Sequence, residues 1–287
     1  MARVIRRVIA DEDTSGRARR KRCMLRIRRP ASPRLESRAV PGAETATPRT
    51  GRLAFFAPVF ELLAPSLCGV CEAPRVDLGG GGVCRACWAS LPVLDTAAAC
   101  PRCALPGNGS PCASCRLTPP TVTRTAAFGL YAGGLRTLHH AFKFAGWDLL
   151  AAPLGERLAA LALRTGIMDG AHALVSVPST ARRNRERGYD PAMLLADEAS
   201  RHLDPPHRPF LLRRRDTPPQ SSLPASGRHA NVRGAFRASS RAHGRVLVLV
   251  DDVVTTGATL FAAADALCAA GAAEVRALVL ARTPESA

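Results

Sequence analysis

Between Val246 and Thr259 the chain reads VLVLVDDVVTTGAT: an apolar run, two adjacent carboxylates at Asp251 and Asp252, then a hydroxyl-rich, glycine-containing turn that opens into a helical pattern. A strand that ends in such a turn at a helix N-terminus offers backbone N–H groups and a favourable dipole to an anion, with threonine hydroxyls as further donors. Carboxylates just ahead of the turn repel a bare phosphate, but they suit hydroxyls or a magnesium ion beside it. A ribose phosphate supplies both, so the segment asks for a sugar phosphate rather than phosphate alone. In open α/β sheets ligands bind at this carboxyl edge.

A second concentration of chemistry lies upstream. Cys68 and Cys71, Cys84 and Cys87, Cys100 and Cys103, and Cys112 and Cys115 form four CxxC pairs within 48 residues, with 12, 12 and 8 residues between successive pairs. Two thiolates separated by two residues grip one tetrahedral ion from a tight turn, and two such turns complete a closed site with no open position for catalysis. Such sites are structural and contribute folding free energy to a segment too small for a core of its own. Two zinc ions are therefore expected. Short loop closures favour joining Cys68 and Cys71 to Cys84 and Cys87, and Cys100 and Cys103 to Cys112 and Cys115. An interleaved pairing is the alternative. Disulfides are the competing use of paired cysteines, and a reducing compartment argues against them. Cys268 reads as a core residue within an apolar helical pattern, and Cys23 as an idle thiol.

The elements that must position these groups follow from periodicity. Residues 171–177 (AHALVSV) and 245–250 (RVLVLV) read as buried strands, with 275–280 a third. Helices are expected over 149–163, 191–203 and 259–270, the last closed by Gly271. Alternating strand and helix patterns after Pro119 and Pro120 point to βαβ units and a parallel sheet. The expected organisation is a basic tail over 1–52, a double zinc-ribbon module over 53–120 and an α/β domain over 121–287. Between strands, residues 213–234 are polar and long for a connection, which marks a lid or a linker.

Of 40 Lys and Arg against 23 Asp and Glu in the chain, residues 1–52 hold 15 against 5, so 10 of the 17 net positive charges sit there. That tail lacks a sustained apolar period and reads as disordered, either a solvated extension or a salt-sensitive nucleic-acid tether. Translation starting near Leu53 or Val59, where the first apolar run begins, is a further expectation. The remaining +7 is moderate, so charge alone does not make a nucleic-acid-binding fold. Apolar residues at 47% exclude wholesale disorder. No run reaches the roughly 18 apolar residues of a membrane helix, and no secretory signal opens the chain. A cytoplasmic protein is expected.

The Val246–Thr259 segment resembles the phosphoribosyl-pyrophosphate (PRPP) signature of type I phosphoribosyltransferases. The resemblance implies that Asp251 and Asp252 bind the ribose hydroxyls, with magnesium accompanying PRPP. It also implies that Thr255, Thr256, Gly257, Ala258 and Thr259 wrap the 5′-phosphate, and that a pyrophosphate loop formed by Val177, Pro178 and Ser179 follows an earlier strand. Four further features stand in order: the paired cysteines, the lysine-bearing FKFAG segment at 142–146, VPST at 177–180 and RERGYD at 185–190. With the SSLPASGRHANVRGAF loop at 221–236, residues 53–283 are similar to the competence protein F (ComF) family, which joins a double zinc ribbon to a phosphoribosyltransferase domain.

What this resemblance implies is an enzyme that transfers phosphoribosyl from PRPP to an unidentified acceptor. The alternative is a non-catalytic competence protein that contacts single-stranded DNA or DNA-uptake machinery, with the PRPP site regulatory or vestigial. The aromatic content of 5% gives base stacking only modest support. Transfer passes through an oxocarbenium-like centre as pyrophosphate leaves, so catalysis is electrostatic and positional. Arg182, Arg183, Arg185 and Arg187 are candidates to neutralise the leaving group, with Arg187 preferred and assigned with the acid pair to catalysis. Gln220, Arg228 and Asn231 match the family's loop. Tyr189-Asp190-Pro191 departs from an aromatic-Asn-Gln pattern, leaving any amide contact there in doubt. Lys143 is expected to meet a phosphate or to snorkel, and His139 and His140 to be surface or packing residues.

Overall fold

The computed structural model of the 287-residue chain describes residues 67–74, 80–214, 232 and 234–284. The expectations for the basic tail, for 53–66 and for Gln220, Arg228 and Asn231 lie outside the described residues.

Four strands form one parallel sheet in the order β1-β6-β5-β2: β1 (Thr125–Leu130), β2 (Ala173–Ser176), β5 (Val246–Val254) and β6 (Glu274–Arg282). The register sets Ser176 beside Val250, Val250 beside Leu278 and Ala127 beside Val279. A short antiparallel pair, β3 (Leu211–Arg213) and β4 (Phe236–Ala238), stands apart. Because a parallel sheet is covered on both faces, its central strands carry continuous apolar runs, 246–250 in β5 and 277–281 in β6. Leu247 and Leu249 enter the core on one face, and Val248 and Val250 the core on the other.

The first face carries α7 (Ala258–Ala269), which buries Leu260, Phe261 and Leu267. The second carries α3 (Gly133–Phe144), α4 (Ala151–Thr165) and α6 (Pro191–Ser200), which bury Leu138, Phe142, Leu154, Leu158 and Leu195. Gly155 lets α4 and α6 approach closely, since a Cβ there would lie 2.4 Å from Glu198 Cβ. The helices α1 (Arg85–Ala89) and α2 (Ala113–Leu117) follow cysteines of the CxxC pairs, and α5 (Ala181–Arg187) follows β2.

Both sheet edges are covered, which removes open pairing surfaces. Along β1, Leu94 N–H donates to Phe128 O at 2.9 Å and Leu130 N–H to Pro92 O at 2.8 Å. Gly129 permits this approach, because a Cβ would lie 2.6 Å from Pro92 O. Along β2, Arg208 N–H donates to Leu174 O at 2.8 Å. That edge is pinned by His207, whose Nδ1 meets Asp197 Oδ1 at 2.6 Å and whose Nε2 meets Ser176 Oγ at 3.0 Å. The same Nε2 accepts Ser176 N–H at 3.3 Å, so this set fastens one edge segment to the strand and to α6.

The strands expected at 171–177, 245–250 and 275–280 are β2, β5 and β6, and the three expected helices are α4, α6 and α7. Gly271, with φ 90°, follows α7 as expected. One boundary differs: β5 continues to Val254, so the acid pair lies inside the strand rather than after it. The pairing of Asp251 with Val279 and of Val253 with Ala281 carries it that far. No helix among the described residues is long and apolar enough to cross a membrane.

Candidate functional site

The carboxyl ends of β2 and β5 open into a cleft of about 840 Å³. Asp251, Asp252, Thr255, Gly257, Ala258 and Thr259 line it from β5 and the turn, and Val177, Pro178 and Ser179 from the turn after β2. Arg182, Arg183 and Arg187 line it from α5, Lys143 and His139 from α3, and Arg213 from β3. Thr256 and Arg185 are not among the lining residues. The Thr256 hydroxyl instead accepts Ala258 N–H at 3.4 Å, bracing the turn from within.

The turn has the shape of an anion cup. Gly257 is the N-cap of α7 with φ 80°, and a Cβ there would strike the Phe261 ring at 2.5 Å. Glycine is required on both counts. The N-terminus of α7 faces the cleft through Ala258 and Thr259.

The two carboxylates are buried but not equivalent. Asp252 Oδ1 accepts Val253 N–H at 2.8 Å, while its Oδ2 accepts from His139 Nε2 at 3.0 Å and from the Lys143 ammonium. Asp251 Oδ1 accepts Asp252 N–H at 2.9 Å. Burial raises the pKa of both groups. At Asp252 it is overcome by Lys143 and His139, which hold the carboxyl well below the usual range. At Asp251 burial wins, reinforced by the neighbouring Asp252 charge, and the carboxyl is pushed well above it. Burial lowers His139, keeping a neutral ring whose Nε2–H serves Asp252 and whose Nδ1 is buried without a hydrogen-bond partner.

His139 is the site residue that sequence reasoning missed, and the contact of Lys143 with Asp252 is one it did not name. Lys143, expected to meet a phosphate or to snorkel, lines the cleft and is paired with Asp252, and His139 is packed in the interior and meets Asp252 rather than lying at the surface. Their i, i+4 spacing on α3 was the available signal, since it places both on one helix face.

Asp190 resolves the departure in RERGYD. Its Oδ1 caps α6 by accepting Ala192 N–H at 3.1 Å, and its Oδ2 accepts Ser179 N–H at 2.8 Å and Asn184 Nδ2 at 3.1 Å. A carboxylate thus supplies acceptors that fasten the turn after β2. Arg187 lies with its guanidinium 5.1 Å from the Phe144 ring, and its Nη1 is buried with no hydrogen-bond partner. Arg182 is exposed and meets Glu186 at 3.6 Å.

The eight paired cysteines form two groups, Cys68, Cys71, Cys84 and Cys87, and Cys100, Cys103, Cys112 and Cys115, with the sulfurs of each within 4.8 Å of one another. The pairing is sequential. Backbone N–H groups point at sulfur in both: Cys84 N to Cys68 Sγ at 3.3 Å, and Cys112 N to Cys100 Sγ at 3.3 Å. Against burial, such N–H donors draw Cys68 down to about 6. Cys103 is drawn to about 5, chiefly by a hydrogen bond with Cys115. Four soft sulfur ligands with N–H donors behind them suit a tetrahedral zinc ion and leave no vertex for a substrate.

A parallel sheet with helices on both faces, an acid pair inside the carboxyl end of one strand and a glycine turn at a helix N-terminus together define a phosphoribosyltransferase-type α/β domain, here preceded by two four-cysteine clusters. In agreement, the phosphoribosyl transferase domain family matches residues 191–287. The DNA utilization protein YhgH of Escherichia coli is 36% identical over 231 residues, covering 77% of this chain and 99% of the relative. Competence protein F of Haemophilus influenzae is 32% identical over 179 residues, covering 60% of this chain and 78% of the relative. The chain belongs to the ComF/YhgH family.

Proposed function

We propose that the cleft binds PRPP with magnesium and that the protein transfers the phosphoribosyl group to a nucleophilic acceptor in a reducing, cytoplasmic setting. The observation that carries this reading is that acid pair, glycine turn and basic helix open into one cleft. The turn from Thr255 to Thr259 receives the 5′-phosphate, and Asp251 and Asp252 receive the ribose hydroxyls. Magnesium, held through the ligand beside the acid pair, would neutralise the pyrophosphate. The turn formed by Val177, Pro178 and Ser179 receives that leaving group, and Arg187, on the same cleft wall, neutralises it. No residue needs to act as a nucleophile, because the positive charge that develops on the sugar is met by buried carboxylate and the negative charge that leaves is met by guanidinium.

Release of pyrophosphate from PRPP in the presence of candidate acceptors tests the transfer. Release that is lost in R187M supports it, and no release with any acceptor from protein that binds PRPP overturns it. The relatives' names favour a second reading, in which the protein serves DNA utilization or competence and PRPP is a regulator. That reading requires single-stranded DNA affinity that falls steeply with salt.

A further inference from the structure

At the end of β6 one side chain reaches both the second cysteine cluster and the glycine turn. Arg282 is 8% exposed. Its Nε donates to the carbonyl of Cys103 at 3.0 Å. Its Nη1 donates to the carbonyls of Val254 at 3.1 Å, of Thr255, and of Thr283 at 2.7 Å, and to the Thr283 hydroxyl at 3.3 Å. Thr283 closes the same knot, its N–H and hydroxyl each meeting Val254 O at 3.0 Å.

Two physical consequences follow. A trans peptide points its C=O and N–H in opposite directions. Fixing the Val254 and Thr255 carbonyls on Arg282 therefore aims the N–H groups of Thr255 and Thr256 away from the guanidinium, and Arg282, with Thr283 on the Val254 carbonyl, holds both peptides in that orientation. All five oxygens that Arg282 meets are also neutral, although a buried guanidinium calls for negative charge. Four thiolates around one divalent zinc carry a net charge of about −2, and Cys103 lies within the field of Arg282. The second cluster is thus the counter-charge of the residue that shapes the turn. Among the described residues the first cluster makes no such link, and its buried Cys68 and Cys87 join the core formed with α3 and α4.

We infer that Arg282 is a positioning residue that makes the shape of the Thr255–Gly257 turn depend on the second cysteine cluster and not on the first. Its consequence for ligand binding rests on the sugar-phosphate reading above, whereas the coupling itself does not. Loss of metal from the second cluster then loosens the turn without touching the acid pair.

Hydrogen exchange of the full zinc-loaded chain, read at the Ala258 and Thr283 amides that flank the turn and donate to Thr256 Oγ1 and Val254 O, tests the coupling without any ligand. R282M and C112S should each speed exchange there by about tenfold or more, while C71S in the first cluster leaves it unchanged. R282K, which keeps the charge but not the planar fork, should fall between. Amides of α4 report whether each variant is folded, and if R282M is not, R282K decides in its place. Unchanged protection of these two amides in folded R282M or C112S overturns the inference, as does an equal loss in C71S. Titration with ribose 5-phosphate, run in parallel, separates the two readings. A wild-type protein that does not bind it counts against the sugar-phosphate site and leaves the exchange result standing.

Discussion

Cys68, Cys71, Cys84 and Cys87 close a group whose buried members join α3 and α4 on one face of the sheet, whereas Cys100, Cys103, Cys112 and Cys115 close one that joins α7 on the other. The first braces the wall that carries His139 and Lys143 to Asp252: Val70 and Leu91 lie beside Gly134, and the Trp147 ring lies directly over Gly69. The second braces the turn through Cys103 O and Arg282. The same local device thus supports two different walls of one cleft. What differs is the apolar residues around each cluster, Val83 and Leu91 in one case and Ala104 and Leu105 in the other, and these decide which face each group occupies.

The largest expected effect concerns the clusters themselves. C100S removes a ligand that is 1% exposed and should cost more than about 4 kcal/mol of stability, or abolish soluble folding. C71S removes an exposed ligand and should cost clearly less. Denaturant melts with zinc counted by elemental analysis check this, and equal losses would erase the distinction between the two walls.

The acid pair sharpens the comparison on the α3 side. D252N strands Lys143 and His139 and should destabilise by about 3 kcal/mol near neutral pH. The folded pKa of Asp252 is depressed, so its contribution is present above the unfolded value of about 3.9 and fades as pH falls through the lower folded value. D251N has the opposite sign. The folded pKa of Asp251 is raised, so its cost grows as pH rises above about 4. D251N should therefore match or exceed wild-type stability at pH 7 and lose that advantage in acid. Melts of both variants from acid to neutral pH check the signs. A K143M protein in which Asp252 titrates no higher than in wild type would show that the ammonium does not hold the carboxylate charged.

The smallest expected effect lies where the first cluster meets its helix. In G69A the new methyl would meet the Trp147 ring at 2.2 Å, so the ring must move. A cost of about 1–2 kcal/mol with a shifted tryptophan emission is expected, and an unchanged spectrum would mean that Trp147 does not brace the knuckle.

Long patterned segments carried most of the fold in the sequence. β5, β6 and α7 are long apolar runs bounded by turn residues, and their order with the acid pair located the cleft. β1 was silent because Thr125–Leu130 is built from alanine, glycine and few β-formers, and it becomes a strand only between β6 and the 92–94 segment. The sequential cysteine pairing was one of two options until the sulfurs were placed. His139 and Lys143 lie more than 100 residues from Asp252, and Arg282 lies 179 from Cys103, so nothing local could announce those contacts. Each depends on which helix or strand packs beside β5, and that is decided by the whole sheet.

The central claim is that acid pair and turn together form a ribose-phosphate site. Calorimetric titration of the full zinc-loaded chain with PRPP, with and without magnesium and beside D251N and D252N, tests it most directly. The account predicts magnesium-dependent binding in the wild type that weakens sharply in the folded variants. Absence of binding in folded, zinc-loaded wild-type protein, or equal binding in D252N, would contradict it.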